Sequence, residues 1–336
     1  MIKINRDDYI YASARIRALE NSLLTKDAIE KLIDAKTPED CIKILTDRGF
    51  GGGAEIASPS QFEQLITAEQ DTLYKLIASI VKNPKIFDLF RLSYDYHNVK
   101  VLLKSEFLGI PDPDDMMFGS GTISPAKLKV IIKDKNYVEL SATMKKAIDT
   151  AREAFSKTND PQIIDLELDR ASFEETAALA RELDSPFIRG YVSLSVDLNN
   201  LKSYLRIKRM NKGYDLFNRV FIDGGYISLK VFMQNFDDTI EQFAEKISSF
   251  GYYEILSEGA AYLRETKKFT LFEKLCDNHL MDYIKKARYI SFGIEPVVAY
   301  IYAKENEFKT VRIILASRIA NLNAETIKER LRDTYV

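Results

Sequence analysis

YAKENEFKTVRI at 302–313, SVDLNNLKSYLR at 195–206 and YDYHNVKVLLK at 94–104 are three versions of one segment. Each opens on a cluster of Asp, Asn or Glu, carries a lysine directly after an apolar residue, and continues into an apolar and often basic stretch. This amphipathic pattern is typical of a helix. The sequence therefore indicates one helical unit that is used three times.

The spacing of the three segments gives the size of the repeated unit. Their shared lysines lie roughly 100 residues apart, which is the length of a small domain and too long for a solenoid repeat. Aligned on that lysine, the segments predict two sets of equivalent positions that are structural or face a partner: Asn98, Asn200 and Glu307, and Lys100, Lys202 and Lys309.

A second motif recurs at a similar offset, since GTIS at 121–124 returns as GYIS at 225–228. Breaks rich in Pro, Gly, Asp or Asn follow the first two copies of the helix, at 111–115 and 211–213. We therefore predict three similar helical domains of about 100 residues, with the N-terminal helix packed against the rest. Their predicted ranges are 1–114, 115–213 and 214–336.

Helix signals are dense along the chain, and strand signals are nearly absent. TPED at 37–40 combines a capping residue, a proline and two acids, the usual beginning of a helix. A proline also stands near the predicted beginning of each repeated helix, at Pro84, Pro186 and Pro296. Only VFI at 220–222 has the composition of a short extended piece. The fold class is predicted to be mainly α.

Composition limits the possible functions. The 336 residues are 46% hydrophobic with a net charge of −2, so a full core is expected, without the basic excess that attracts nucleic acid. Cys41 and Cys276 make neither a disulfide framework nor a metal-ligand pattern, which favours a reduced, cytosolic compartment. The charged N-terminus predicts no secretory signal, and no apolar stretch reaches the roughly 20 residues of a membrane span.

The glycine-rich segment GFGGGA at 49–54 resembles a phosphate-binding loop in composition only. It follows a predicted helix, lacks the Lys-Ser/Thr pair of a P-loop, and is followed by Glu55, which would repel phosphate. The cluster of Asp112, Asp114 and Asp115 lacks the spacing of a calcium loop. We interpret both segments as connections, and we expect neither a cofactor nor a metal site.

Neither histidine fits a catalytic pattern. His97 lies within the first repeated helix, where the other copies have Asn199 and Asn306. A catalytic imidazole would not be exchanged for an amide at equivalent positions, so His97 is predicted to make local hydrogen bonds. His279 has no Cys or carboxylate pattern in common with it. No catalytic residues are predicted, and an α-helical enzyme is the least favoured class.

The most distinctive surface is basic. Lys202, Arg206 and Arg209 follow a spacing of four and three residues, which places them on one face of the second repeated helix, and Lys208 and Lys212 flank them. These five residues, here called the basic face, are predicted to dock an acidic partner. The alternative is a solvated helix end whose bases are favoured by the helix dipole.

Four stretches carry a resemblance to a known family: 9–25, 87–109, 221–228 and 295–322, including ENEFKTVRIIL at 305–315. In this order they resemble the central-stalk C subunits of bacterial and archaeal V/A-type ATPases, whose eukaryotic counterparts are the d subunits. The resemblance runs from one end of the chain to the other, although 135–159 carries no matching motif.

The resemblance implies three similar helical domains around a pseudo-threefold axis, forming a funnel. It also implies a non-catalytic rotor part at the cytoplasmic face of the membrane, held there by the ATPase complex. The expected partners are the coiled-coil shaft with its small associated subunit, and the membrane proteolipid ring that carries H⁺ or Na⁺ during ATP hydrolysis or synthesis. A free-standing helical adaptor without a motor is the alternative.

Overall fold

The protein is described by a computed structural model that covers residues 2–111 and 113–336. Asp112 of the predicted acidic cluster lies outside the described residues. The α-helices are α1 (Ile10–Leu19), α2 (Lys26–Asp34), α3 (Pro38–Asp47), α4 (Phe62–Ile80), α5 (Leu92–Leu108), α6 (Pro125–Asp134), α7 (Ala142–Thr158), α8 (Gln162–Glu182), α9 (Pro186–Arg209), α10 (Tyr214–Val220), α11 (Leu229–Gln234), α12 (Ile240–Lys246), α13 (Tyr253–Thr266), α14 (Thr270–Lys285), α15 (Ile294–Ile319) and α16 (Ala324–Arg330).

The prediction of a mainly α chain is confirmed. Across residues 2–111 and 113–336 there is no β-strand, and one parallel bridge joins Ile2 to Leu183. The extended piece predicted at 220–222 is wrong at its first residue, because Val220 ends α10 and the backbone becomes extended only at Phe221. Short 3-10 helices fill several connections: Arg6–Tyr9, Glu20–Ser22, Pro59–Gln61, Pro84–Phe90, Asp114–Met116, Ser248–Phe250 and Lys286–Tyr289.

The chain packs as two compact units. The central unit, named for its place in the sequence, consists of Pro84–Phe236 together with Ile2 and Lys3. The terminal unit consists of Ile4–Asn83 and Asp237–Val336. The first and second copies of the repeated helix, α5 and α9, belong to the central unit, and the third copy, α15, belongs to the terminal unit. The partition into three domains at 114 and 213 stays a prediction.

In the central unit, α8 packs against α5, α7 and α9. Fully buried Val99, Leu128, Ile148 and Leu168 come from four different helices and form one apolar core. Beside that core, two lysines of α5 pair with acids of α8. Lys100 Nζ lies 2.6 Å from Asp169, and Lys104 Nζ lies 2.6 Å from Asp165. Burial of the apolar face supplies the stability, and the ion pairs fix the register of the two helices.

In the terminal unit, α15 is the element around which the other helices pack. Most of its 26 residues are buried, whereas a helix at the surface of a globular protein buries only one face. Helices α1, α3, α4 and α16 contact it. This explains why the apolar residues of 295–322 are not confined to one helix face. Within the described part of the chain, no helix is long and apolar enough to cross a membrane.

All three copies of the repeated helix end in the same way. A residue with positive φ follows each one: Gly109 at 67°, Asn211 at 51° and Asn321 at 55°. In each case the next residue's N–H donates to the carbonyl oxygen five residues earlier, which is the bond of a Schellman motif. Glycine and asparagine are the residues that tolerate this backbone conformation most readily. The shared ending is a structural counterpart of the repeated sequence.

Candidate functional site

In the first copy of the repeated helix, a buried carboxylate holds the loop that follows it. Asp95 on α5 accepts hydrogen bonds from the backbone N–H of Thr122 at 3.0 Å and of Ile123 at 3.1 Å. One turn later, Asn98 exchanges two 2.8 Å bonds with the backbone of Phe118. These bonds satisfy backbone groups that would otherwise be buried without partners. Burial raises the pKa of Asp95 even though these donors favour its charged form.

The second copy repeats this arrangement. Asp197 on α9 accepts from the backbone N–H of Tyr226 at 2.9 Å and of Ile227 at 3.1 Å. Asn200 exchanges bonds of 2.8 Å and 3.0 Å with the backbone of Ile222. The predicted equivalence of Asn98 and Asn200 thus corresponds to one structural role. The two aspartates were not predicted from the sequence, although they stand at the same offset as the two asparagines.

Two glycines in the recurring motif are explained by the aspartates. A Cβ atom on Gly121 would lie 3.1 Å from Cγ of Asp95, and one on Gly225 would lie 2.8 Å from Cγ of Asp197. Neither glycine has a positive φ, so what requires glycine is the close approach of the carboxylate and not the backbone conformation. GTIS and GYIS therefore recur because a loop must pass directly over a helix carboxylate.

The third copy uses a donor from the other end of the chain. Glu307 on α15 accepts a hydrogen bond from the backbone N–H of Leu24, which immediately precedes Thr25, the N-cap of α2. Ile123 and Ile227 occupy the same place before the next helix in the first two copies. By this role Glu307 corresponds to Asp95 and Asp197. The alignment on the lysines instead made Glu307 the equivalent of Asn98 and Asn200, which lie three residues further along the helix.

Glu307 also belongs to a buried group of charges. Lys304 Nζ lies 2.8 Å from Glu307 and 2.8 Å from Glu69 of α4, and the rings of Phe50 and Phe308 lie 5.4 Å and 5.6 Å from it. We call Lys304, Glu69 and Glu307 the buried triad. Burial would lower the pKa of Lys304, but its two carboxylate partners outweigh this and raise the pKa. Burial raises the pKa of Glu307 in spite of the lysine.

The buried triad explains the glycine-rich loop. Glu69 accepts a 2.9 Å hydrogen bond from the backbone N–H of Gly51, so the loop is held by a carboxylate of its own chain. Gly51 has a φ of 89°, and a Cβ there would press on Leu65. The loop connects α3 to the 3-10 helix Pro59–Gln61, as the sequence indicated. The Glu69 carboxylate beside the loop is negative, whereas a phosphate site requires a positive or hydrogen-donating environment.

The repeated-helix bases of the first and third copies pair with acids on a neighbouring helix. Lys100 pairs with α8, as described above, and the Arg312 guanidinium makes two bonds of 2.6 Å and 2.8 Å to Glu63 of α4. Lys309, the predicted equivalent of Lys100, is exposed. By its ion pair, Arg312 corresponds to Lys100. As with Glu307, this equivalence lies three residues further along α15 than the alignment on the lysines.

The five residues of the basic face do not all point the same way. Arg206, Arg209 and Lys212 are exposed at the C-terminal end of α9, whereas Lys202 is half-buried. Lys208 is half-buried as well: its Nζ donates to the carbonyl oxygen of Phe236 at 2.7 Å and lies 5.4 Å from that ring. The structure therefore brings three exposed bases to one helix end and uses Lys208 inside the central unit.

Both histidines lie against aromatic rings. Nε2 of His97 lies 3.0 Å from the carbonyl oxygen of Met116, and its ring lies 4.7 Å from that of Phe118. These contacts agree with the local hydrogen bonding that was predicted for His97. The ring of His279 lies 5.7 Å from that of Tyr252. Burial lowers the pKa of both imidazoles. In the described residues, no three His, Cys, Asp or Glu side chains are grouped as metal ligands would be.

The depressed pKa of His97 predicts a pH dependence. Because the folded state favours the neutral ring, the contribution of His97 to the stability of the fold is present above the unfolded pKa of about 6.5. It is lost as the pH falls below that value. We expect the stability advantage of the protein over His97→Gln to shrink from pH 7 to pH 5, by at most about 1.4 kcal/mol per pH unit. Urea unfolding at several pH values measures this, and a constant difference would contradict it.

Comparison with known proteins adds a family match. The model of a family described as ATP synthase (C/AC39) subunit matches residues 12–330. The C subunit of the V-type sodium ATPase of Enterococcus hirae is 24% identical over 328 residues, covering 98% of this chain and 99% of that protein. The C subunit of the A-type ATP synthase of Methanocaldococcus jannaschii is 25% identical over 344 residues, covering 96% and 86%.

Proposed function

The chain belongs to the ATP synthase (C/AC39) subunit family, and from this membership we propose that it is a non-catalytic rotor subunit of a V/A-type rotary ATPase. In this role it joins the central shaft to the membrane proteolipid ring and transmits torque during ion transport coupled to ATP hydrolysis or synthesis. The observation that carries the proposal is the match of the family over almost the whole chain, 12–330. The protein is peripheral, at the cytoplasmic face, and other parts of the ATPase hold it there.

Three similar helical domains around a pseudo-threefold axis suit this role. A threefold socket surrounds an axis and can receive a shaft without a single high-affinity patch. Three features support the proposal: the recurring carboxylate-to-loop bonds, the shared helix endings, and the bases that pair each of two repeated helices with an acidic neighbour. Long, densely packed helices resist deformation, which torque transmission requires.

Within this proposal, the basic face contacts an acidic surface of a neighbouring subunit. Arg206 and Arg209 are exposed on consecutive turns at the end of α9, and Lys202 lies one turn before them. Neither α5 nor α15 ends in so basic a turn. A socket of three similar domains that is strongly basic on one side only can fix the angle at which an asymmetric shaft is seated.

Co-purification tests both parts of the proposal. We expect the protein to be recovered with shaft and ring subunits, and Arg206→Glu/Arg209→Glu to lower that recovery about tenfold, with greater sensitivity to salt. Lys145→Glu/Lys146→Glu, which reverses two exposed charges on α7, is the matched control. Equal recovery of both variants would remove the basic face from the proposal. Association with neither shaft nor ring would refute the rotor role and favour an adaptor.

A further inference from the structure

The second and third copies of the repeated helix follow one register in the structure. Asn211 and Asn321, which come after the two copies with positive φ, are 110 residues apart in the sequence (321 − 211 = 110). The carboxylates that hold a loop amide in these copies stand at the same offset, and helices α10 and α16 match at both bounds. Residues 331–336, which follow α16, therefore correspond to the loop at 221–226, which follows α10.

Residues 331–336, here called the strap, pack into the terminal unit. The strap and the loop after α10 both have extended backbone at their first residue. Tyr335 of the strap is only 3% exposed. The carbonyl oxygen of Asp333 accepts a hydrogen bond from Nδ2 of Asn306 on α15 at 3.1 Å, and its N–H donates to Oδ1 of Asn278 on α14 at 2.9 Å. The strap therefore bonds to the third repeated helix, as the loop after α10 bonds to the second.

In the second copy, one short piece of chain makes both contacts with the repeated helix. The backbone of Ile222 bonds to Asn200, and the amides of Tyr226 and Ile227 donate to Asp197. Because a short linker keeps the local concentration of a second binding group high, docking of the first half of this loop brings its second half to the carboxylate. We call the bonding of a repeated-helix carboxylate to loop amides a joint.

In the third copy, the two halves of the loop come from distant parts of the sequence. The strap supplies the first half, and Leu24, which is 283 residues away from Glu307, supplies the amide of the second. No short linker joins these halves, and direct contacts stand in its place. The Tyr335 hydroxyl donates to Glu20 at 3.2 Å, and Tyr335 lines one small cavity together with Leu23 and Leu24.

We infer that the strap is a latch that holds segment 20–25 on α15, and that its release opens the third joint while the other two joints stay closed. Among the described residues Glu307 accepts from one loop amide, whereas Asp95 and Asp197 each accept from at least two. A joint with fewer bonds and no short linker is the first to open by local fluctuation. The inference does not depend on the rotor role, because all of these contacts lie within the chain.

Hydrogen exchange of the full-length chain, resolved at single amides by NMR, tests the inference. Arg332→Ser/Tyr335→Ser removes the 2.9 Å bond of the strap to Asp277 and its bond to Glu20. In this variant we expect the Leu24 amide to exchange about tenfold faster or more, because the N-terminal segment is no longer held on α15. Tyr335→Phe removes the hydroxyl alone and should raise the same rate about threefold.

The controls separate release of the latch from general loosening. Exchange at Ile123 and Ile227, in the other two joints, and at Ile77, buried within α4 of the terminal unit, should change less than about twofold in the strap variants. Lys328→Ser/Glu329→Ser alters two exposed residues of α16 just before the strap and should leave the Leu24 rate unchanged.

Three results would overturn the inference. Unchanged exchange at Leu24 in both strap variants would show that the strap does not hold the N-terminal segment. Equal acceleration at Ile77 would show that the whole terminal unit loosens, without a separate latch. An equal effect of the α16 control would assign the change to the surface of that helix. Co-purification with shaft and ring subunits is a separate measurement, so this inference and the rotor role fail independently.

Discussion

Replacing Lys304 by methionine is expected to lower the free energy of unfolding by about 3–5 kcal/mol. The substitution leaves Glu307 and Glu69, whose side chains are 9% and 14% exposed, without their shared cation. Removing one partner of a buried ion pair is costly because the remaining charge cannot regain water. Those carboxylates also hold Leu24 and Gly51, so the N-terminal segment and the glycine-rich loop should loosen together.

The control for this prediction is Lys157→Met. Lys157 forms an ion pair with Glu153 at 2.6 Å on α7, but both side chains are 69% exposed, and such pairs contribute less than about 1 kcal/mol. Urea unfolding followed by circular dichroism compares the two variants. A similar small shift for both would show that the buried triad does not stabilise the terminal unit. Hydrogen exchange at Leu24 and Gly51 gives an independent measure, since both amides should exchange faster in Lys304→Met.

The second large effect is expected for Gly225→Ala, which should destabilise the central unit by about 3 kcal/mol or more. The added methyl group would occupy the space of the Asp197 carboxylate, whose Cγ lies 2.8 Å from the Cβ position. To make room, the loop or the aspartate must move, and the bonds to Tyr226 and Ile227 then lengthen. Backbone groups that lose buried hydrogen bonds incur the full cost of desolvation.

Gly213→Ala is the matched control, since a Cβ at Gly213 meets no atom within 4 Å and its φ is −80°. We expect its effect to stay below about 1 kcal/mol. Gly121→Ala should behave like Gly225→Ala, because it places the same methyl group against Asp95. Thermal unfolding of the three variants is sufficient. If Gly225→Ala unfolds at the same temperature as Gly213→Ala, the close approach of the loop has no energetic consequence.

Helix content and the repeated segment were predictable from the sequence because their signals are local. The TPED stretch at 37–40 forms the N-terminus of α3, as its composition predicted, and the structure adds that Thr37 and Asp40 form a capping box. The positive φ at Gly109 and Asn211 lies within or next to the predicted breaks, because these residue types tolerate that conformation. The Asn98 and Asn200 equivalence followed from spacing alone. Family membership was likewise indicated by sequence motifs, above all the one at 305–315, and is confirmed by the match over 12–330.

The sequence by itself indicated that the chain is mainly helical, that one helical segment recurs, and where its first two copies end. It placed the beginning of the first copy near Pro84, which is wrong, because Pro84–Phe90 is a 3-10 helix and α5 begins at Leu92. Tertiary structure alone decided that the third copy is completed from the N-terminus, since Leu24 and Glu307 are 283 residues apart. It also decided that Lys304 meets Glu69 and that Lys208 turns inward while Arg206 stays exposed. The physical reason is that caps and periodicity act over a few residues, whereas lysine and glutamate occur on every helix face and acquire a partner only when distant helices pack together.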